Sequence, residues 1–512
     1  MLVRLVRALD GDLDVVHELH LGGFDQRRAR WDGREARVAA TRIIVSGGEW
    51  LDAGPDGGRS IRLTAAAGTW AGVTIAAIAA AAAADGGLEA DAEALAAELE
   101  EARRRCRASL PWRRLPRRHR ERCADAIKVL EACTDASTGA PVASPTTSLP
   151  EACGGDRQFD YRYTWLRDSS LALSVAALLG ATDAAGRYVR FLRDLGPDAI
   201  LGAPVRTVRG EEVPDERTID DDDVAGWEAS RPVRVGNATG GQVQYDALGF
   251  VLEGLSVHLR TGGRLDARLW AIVGRLADRC CDDPEEETSG IWELRRPDRL
   301  VAADIGRWTT LDRAIRIARR RRPWVSTRRW RQHRRIVRDR ILGALTDDGL
   351  LPQTYGSTTP DGSGLLLVVL GLLDRRDPRA RRLVDRTAAD LGVSCFLHRY
   401  PPSFDDGFGG REGAFVPVSW WQVAALARTG RLAEAEDVAD GLCRALPPLM
   451  PEQWDPERAE ALGNTPLLWS HMEAGRALYL LDVARRRKRW GASAWPSGCS
   501  PAGSRAPDRR RR

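Results

Sequence analysis

Lysine is nearly missing from this chain. Lys128 and Lys488 are the only two in 512 residues, so 75 of the 77 basic side chains are arginine. A bias spread over the whole length reads as genome composition before function. Long apolar runs are missing too: the longest, Ile75 to Ala84, is an alanine tract of about ten residues. A bilayer-spanning helix needs roughly 20. The nine cysteines are an odd number without a Cys-x-x-Cys pair, and only Cys280 and Cys281 adjoin. That argues against a zinc ribbon and a disulfide framework and fits a reducing, cytoplasmic setting best. Arg4, Arg7 and Asp10 interrupt the apolar start, so no signal peptide is read there.

The charge that is present is unevenly placed. The net +5 conceals a C-terminal segment, 485–512, with ten basic residues and one acid, so the remainder sums to −4. Hydrophobic residues at 43% and charged residues at 29% are the balance of a globular chain. The length suits two or three domains. Residues 1–85 mix short apolar runs with Gly and Asp turns, and Thr41 to Val45 and Ser60 to Leu63 read as strands of a small β-rich domain. Residues 86–112, rich in Ala, Glu, Leu and Arg, read as a helical linker. From 113 to 484 twelve segments repeat apolar residues at three- and four-residue spacing: near 121–133, 166–180, 184–195, 241–261, 264–281, 303–319, 329–346, 361–373, 377–391, 414–429, 432–446 and 466–484. Without a fixed sequence period they suggest paired helices in an inner and an outer ring rather than a solenoid. Residues 485–512 read as a basic disordered tail.

Tryptophan, at 17, outnumbers phenylalanine and tyrosine together, and it gathers with carboxylates and arginines in inter-helix loops. These loops are Gly154 to Asp168, Gly290 to Arg295, His398 to Phe415 and Pro451 to His471. An indole suits the apolar face of a pyranose, and Asp and Arg suit its hydroxyls. Cleaving a glycosidic bond needs two carboxyls, one protonated and one ionised, and a Glu beside a Trp has a means of staying protonated. Scattered tryptophans also serve as core, so these residues alone leave both readings open.

The run Thr138-Gly-Ala-Pro-Val-Ala-Ser-Pro-Thr-Thr-Ser-Leu-Pro-Glu151, followed by Asp160-Tyr-Arg-Tyr-Thr-Trp-Leu-Arg-Asp168, resembles glycoside hydrolase family 15. The resemblance continues in order through Arg231 to Asn237, Gly290 to Glu293, Leu311 to Ala314, Glu412 to Phe415 and Pro451 to Pro456. That family holds glucoamylases, glucodextranases and bacterial α,α-trehalases. The resemblance implies a mainly α fold, an (α/α)6 barrel or six-hairpin toroid, after a short N-terminal β-sandwich-like domain. Against the family's sandwich residues 1–85 look short, and a truncated gene model or a real reduction is expected. The resemblance places Glu293 on the general acid and Glu452 on the general base of an inverting hydrolase. It puts Arg167, Asp168 and Arg399 on the terminal glucose and makes Trp165, Trp227 and Trp292 walls of the pocket. Gln158, Phe159, Phe250 and Asp304 depart from the family pattern.

The activity implied is exo-hydrolysis releasing glucose from α-glucans or oligosaccharides. Pro466 to His471 leans toward glucoamylases, with α,α-trehalase as the alternative and a non-catalytic sugar-binding protein as the rival from another class. No cofactor or metal is expected: the acidic runs Asp220–Asp223 and Asp282–Glu287 lack the D-x-D-x-D-G spacing of a calcium loop. His471 and Ser470 are expected to be structural. Twelve arginines between Arg316 and Arg340 are read as a solvated face of outer helices. Nucleic acid is not an expected partner of the body, and only the basic tail suits a polyanion.

Overall fold

A computed structural model describes residues 2–19, 21, 29–38, 41–53, 58–79, 91–219, 226–283 and 285–490. The chain divides into two compact units, residues 1–110 and 111–512. The run Asp220–Asp223 and the tail beyond 490 lie outside the described residues.

Among the described residues the first unit holds eight strands: β1 (Leu2–Arg7), β2 (Leu13–Leu19), β3 (Arg30–Asp32), β4 (Glu35–Val38), β5 (Thr41–Ser46), β6 (Glu49–Ala53), β7 (Arg59–Ala65) and β8 (Trp70–Ala79). All pair antiparallel, in one sheet of order β1-β8-β5-β4-β3 and another of order β2-β7-β6. Alternate residues of each sheet turn inward. Leu19, Ile61 and Leu63 of one sheet thereby meet Val45 and Val73 of the other in a shared core, which makes the unit a sandwich. Helix α1 (Ala92–Ser109) covers most of the segment expected as a linker, but it packs on β8 and belongs to this unit. Asp91 caps it by accepting from the Glu93 and Ala94 N–H groups, and the Glu93 carboxylate accepts from the Trp70 N–H at 2.9 Å.

The second unit contains α2 (Arg120–Cys133), α3 (Leu166–Leu179), α4 (Thr182–Gly202), α5 (Tyr245–Arg260), α6 (Ala267–Arg279), α7 (Val301–Arg321), α8 (Arg328–Ala344), α9 (Leu366–Val369), α10 (Pro378–Leu391), α11 (Val416–Thr429), α12 (Leu432–Ala445) and α13 (Leu468–Trp490). Odd-numbered helices from α3 onward form the inner ring and even-numbered ones the outer. Along the inner ring α13 packs on α3, α3 on α5, α5 on α7, α9 on α11 and α11 on α13. Composition sorts the rings. Inner α3 and α11 are buried on nearly every face. Outer α6 buries one stripe, Leu269, Ile272, Val273, Leu276 and Ala277, with the spacing of a surface helix. This is the expected (α/α)6 barrel.

Three details differ from the sequence reading. The segment expected to be helical over 361–373 is a 3-10 turn, Gly362–Leu365, and then the single turn α9. Gly362 lies so close to α11 that a Cβ there would meet Val418 at 2.7 Å. The arginine run from 316 is not confined to outer helices, because Arg316–Arg321 end inner helix α7. The basic segment from 485 begins as the last turn of α13, where Arg486 pairs with Asp482 at 2.5 Å. No helix among the described residues is long and apolar enough to cross a membrane.

Candidate active site

The loops that enter the inner helices at their N-terminal ends meet in one pocket. Short antiparallel ladders fix them: residues 164–165 pair with 205–206, 414–415 pair with 453–454, and 453–455 pair with 460–462. Trp165, Arg167, Asp168, Trp292, Glu293, Arg399 and Glu452 line this pocket, together with Glu151, Phe159, Tyr161, Thr239, Phe408 and Trp469.

Glu293 stands on the tight turn 290–293, where its N–H reaches the Gly290 carbonyl at 3.1 Å. Its φ of 60° is left-handed, a conformation that side-chain-bearing residues adopt at a cost and that often marks a working position. The Trp165 indole N–H donates to Oε1 at 2.7 Å and Arg167 donates at 3.1 Å, while the Thr239 hydroxyl reaches Oε2 at 2.9 Å. Gln242 donates to the main-chain carbonyl of Glu293 at 3.2 Å and fixes the turn from behind.

Glu452 enters the same pocket from another loop. Pairing of 414–415 with 453–454 lets its carbonyl accept the Val416 N–H at 3.0 Å. Its side chain, 3% exposed, accepts from the Tyr161 hydroxyl at 2.9 Å through Oε1, and Oε2 has no hydrogen-bond partner among the described residues. Burial pushes this carboxyl up to about 7 against the pull of Arg399 and the Tyr161 hydrogen bond, and the charges of Glu412 and Glu293 add to the push. Gly463 makes the fit possible: with φ 74°, a Cβ there would stand 2.7 Å from Glu452 Oε2.

Glu151, 2% exposed, lies beside this carboxyl. It accepts from Gln453 Nε2 at 2.9 Å, Arg399 is 3.4 Å away, and the Tyr161 hydroxyl is 3.5 Å away. Burial and the nearby charge of Glu452 hold Glu151 well above the usual carboxylate range. The two buried carboxyls share the Tyr161 hydroxyl and titrate as a pair. Beyond them opposite charges alternate. Arg399 pairs with Glu412, Glu412 accepts from Arg157 at 2.7 Å, and Arg157 grips Asp406 at 2.7 Å.

Arg167 donates through Nε to Asp168 at 2.7 Å and through a terminal nitrogen to the Ile291 carbonyl at 3.0 Å. Its guanidinium lies 4.1 Å from the Trp469 ring centroid, a cation–π contact that fixes its plane. Burial raises the Asp168 carboxyl, opposed by Arg167, and raises Asp246 beneath it to about 7. Trp292 donates to Asp361 at 3.0 Å and packs among Phe415, Trp421 and Trp469, forming an aromatic floor.

Trp227 requires a correction. Expected as a pocket wall, it is 64% exposed and does not line the cavity. The Gly226 backbone before it packs tightly against Gln158 and Ser148. Phe159 and Phe408, edge to face at 5.2 Å, supply that wall instead. The other departures from the family pattern avoid the acid and base. Phe250 sits under Arg476, and Asp304 accepts from Arg340 at 2.6 Å and Tyr355 at 2.6 Å, tying α7 to α8. His471 is fully buried between the Met450 N–H at 3.1 Å and the Leu467 carbonyl at 2.8 Å. Among the described residues no three His, Cys, Asp or Glu side chains gather as metal ligands. In the run 282–287, Asp282 pairs with Arg329 at 3.0 Å and Glu286 with Arg279 at 2.7 Å.

Glu151, Tyr161, Thr239 and Glu412 were not singled out from the sequence. Three of them lie inside the matched motifs, but their roles arise from partners far away in the chain.

An (α/α)6 barrel with carboxyls, arginines and tryptophans at the N-terminal ends of its inner helices has the architecture of the six-hairpin glycosidases. The chain belongs to glycosyl hydrolases family 15, whose model matches residues 117–438. It is 32% identical over 371 residues to a trehalase of Mycolicibacterium smegmatis, covering 71% of this chain and 54% of that protein. It is 31% identical over 356 residues to a trehalase of Thermoplasma acidophilum, covering 68% and 60%. The chain thus spans little more than half the length of these curated relatives. Among solved structures, a bacterial glucoamylase complexed with acarbose aligns with a TM-score of 0.61 at 15% identity, over 88% of this chain and 73% of that one. A glycosidase in complex with glucose aligns with a TM-score of 0.54 at 23% identity, over 71% and 95%. These two likenesses show the fold.

Proposed function

We propose that this chain hydrolyses the glycosidic bond of a small α-glucoside with inversion, and that the substrate is α,α-trehalose rather than the α-glucan end expected first. One observation carries the chemistry. Two glutamates from different loops, Glu293 and Glu452, line one pocket with arginines and tryptophans, and which is acid and which is base follows from the family motifs they sit in. Glu293 protonates the glycosidic oxygen. Glu452, ionised, removes a proton from a water that attacks the anomeric carbon from the opposite face. Arg167, Asp168 and Arg399 hold the terminal glucose, and Trp165 and Trp292 wall it. The preference for trehalose rests on the relatives, several of which carry that name at 30–32% identity.

Glucose release from trehalose, maltooligosaccharides and isomaltose tests both parts, with Glu293→Gln and Glu452→Gln alongside. Turnover of trehalose alone, lost by orders of magnitude in both variants, supports the reading. Turnover of maltooligosaccharides instead returns the substrate to an α-glucan. Equal rates in wild type and variants overturn the site. Silence from a folded chain replaces the enzyme with a sugar-binding protein.

A further inference from the structure

At the far end of the barrel from the glutamates, the C-terminal ends of α5, α7, α11 and α13 and the loop after α9 surround a second cavity of about 2120 Å³. Pockets for small ligands usually enclose about 300–1,000 Å³. Fourteen basic residues line it against three acids, Glu253, Asp312 and Asp374. Helix C-termini favour cations, and some of these arginines do serve them. Arg313 donates to the Leu370 carbonyl at 2.7 Å and Arg321 to the Leu259 carbonyl at 2.7 Å. The acids are largely engaged as well. Glu253 pairs with Arg313, and Asp312 accepts from Arg313 at 2.6 Å, Arg316 at 2.7 Å and Arg334 at 2.9 Å.

That leaves arginines without acceptors. Among the described residues Arg428 makes no hydrogen bond or ion pair, and burial together with the charges of Arg313 and Arg476 lowers its pKa to about 10. Arg476, 6% exposed, uses one end on Glu473 at 2.6 Å while its Nε has no partner, and the buried Nε of Arg260 has none either. Buried donors without acceptors and a cation held beside two others both favour an incoming oxyanion. Exposed Arg319, Arg320, Arg375 and Arg376 stand at the mouth.

We propose that this cavity binds a compact polyanion, a short chain of phosphate groups whose oxygens meet Arg260, Arg428 and Arg476 inside and the arginines of the mouth outside. The buried Nε donors of Arg260 and Arg476 favour a small ligand over a duplex, whose phosphates are held on its backbone and cannot enter to reach them. Few rings are present for stacking bases: Trp324 and Tyr479 are the aromatic lining residues.

The test is calorimetric titration of the full chain with inorganic tripolyphosphate at physiological salt. The variants are Arg428→Gln and, should that fail to fold, the surface pair Arg375→Gln/Arg376→Gln. Saturable binding near one per chain is expected, weakened about tenfold or more by either variant, since one charge-assisted hydrogen bond is worth at least that factor. Retention of that binding by a chain whose last four arginines are glutamines is the second expected result. The proposal is overturned by no saturable binding at millimolar ligand, by equal binding in wild type and both variants, by loss only in the tail variant, or by duplex DNA displacing tripolyphosphate as the tighter ligand.

Discussion

Replacing Glu452 by glutamine abolishes the general base and, on the reasoning above, makes the folded protein more stable at neutral pH. The buried carboxyl ionises near 7 in the folded chain against 4.5 in its ordinary state. Below pH 4.5 the side chain is protonated in folded and unfolded chains alike and costs nothing. Between 4.5 and about 7 the unfolded chain gives up the proton and the folded chain keeps it, so stability falls as pH rises. Above 7 the full difference of about 2.5 pKa units remains, equivalent to about 3 kcal/mol at about 1.4 kcal/mol per unit. Glutamine keeps the shape and still accepts from Tyr161, but it carries no charge to desolvate. A unit of roughly 400 residues unfolds with an entropy of about 0.8 kcal/mol/K, so the gain corresponds to about 4 °C in Tm. Melting curves of wild type and Glu452→Gln at pH 4 and pH 8 measure it directly. The expected result is a higher Tm for the variant at pH 8 and little difference at pH 4. An equal or lower Tm at pH 8, or the same gain at both pH values, refutes the argument that burial sets this carboxyl's pKa.

The same electrostatics fix the pH profile. Activity should rise with pH through an acid limb near 7 as Glu452 ionises, and Glu151→Gln should keep kcat/KM within about tenfold of wild type, because Glu151 is not one of the two carboxyls that exchange protons with the substrate. A limb near 4.5, or a loss with Glu151→Gln as deep as that of Glu452→Gln, counts against it. Gly463→Ala should lower kcat at least about tenfold while the chain still folds, since the new Cβ meets Glu452 Oε2 at a left-handed backbone position. Kinetics alongside circular dichroism check both halves. Trp227→Ala should leave KM within about twofold, because the exposed indole is not among the residues lining the pocket; a large rise in KM would return that tryptophan to the sugar.

What repeats locally or sits in a motif is legible in the sequence, and what depends on convergence of distant segments is not. Outer helices were legible because one stripe must meet the inner ring: Leu269, Ile272, Val273 and Leu276 announce α6 by spacing alone. Leu365 to Leu370 is as apolar as any of them, yet it closes after one α-helical turn, because the approach of Gly362 to Val418 and the demand of Trp292 on Asp361 are tertiary facts. Glu293 and Glu452 were reachable through the residues around them. Glu151 was not, since nothing nearby in sequence shows that it shares Tyr161 with a carboxyl about 300 positions later. Trp227 failed for the converse reason: the resemblance carries over the indole's place in the chain and not the exposure its own loop gives it. The arginines from 316 onward show that limit most clearly. Charge density along a chain looks the same whether it faces bulk water or a cavity. Only the end of α7 meeting Arg260, Arg428 and Arg476 from three other helices separates a solvated face from a candidate site.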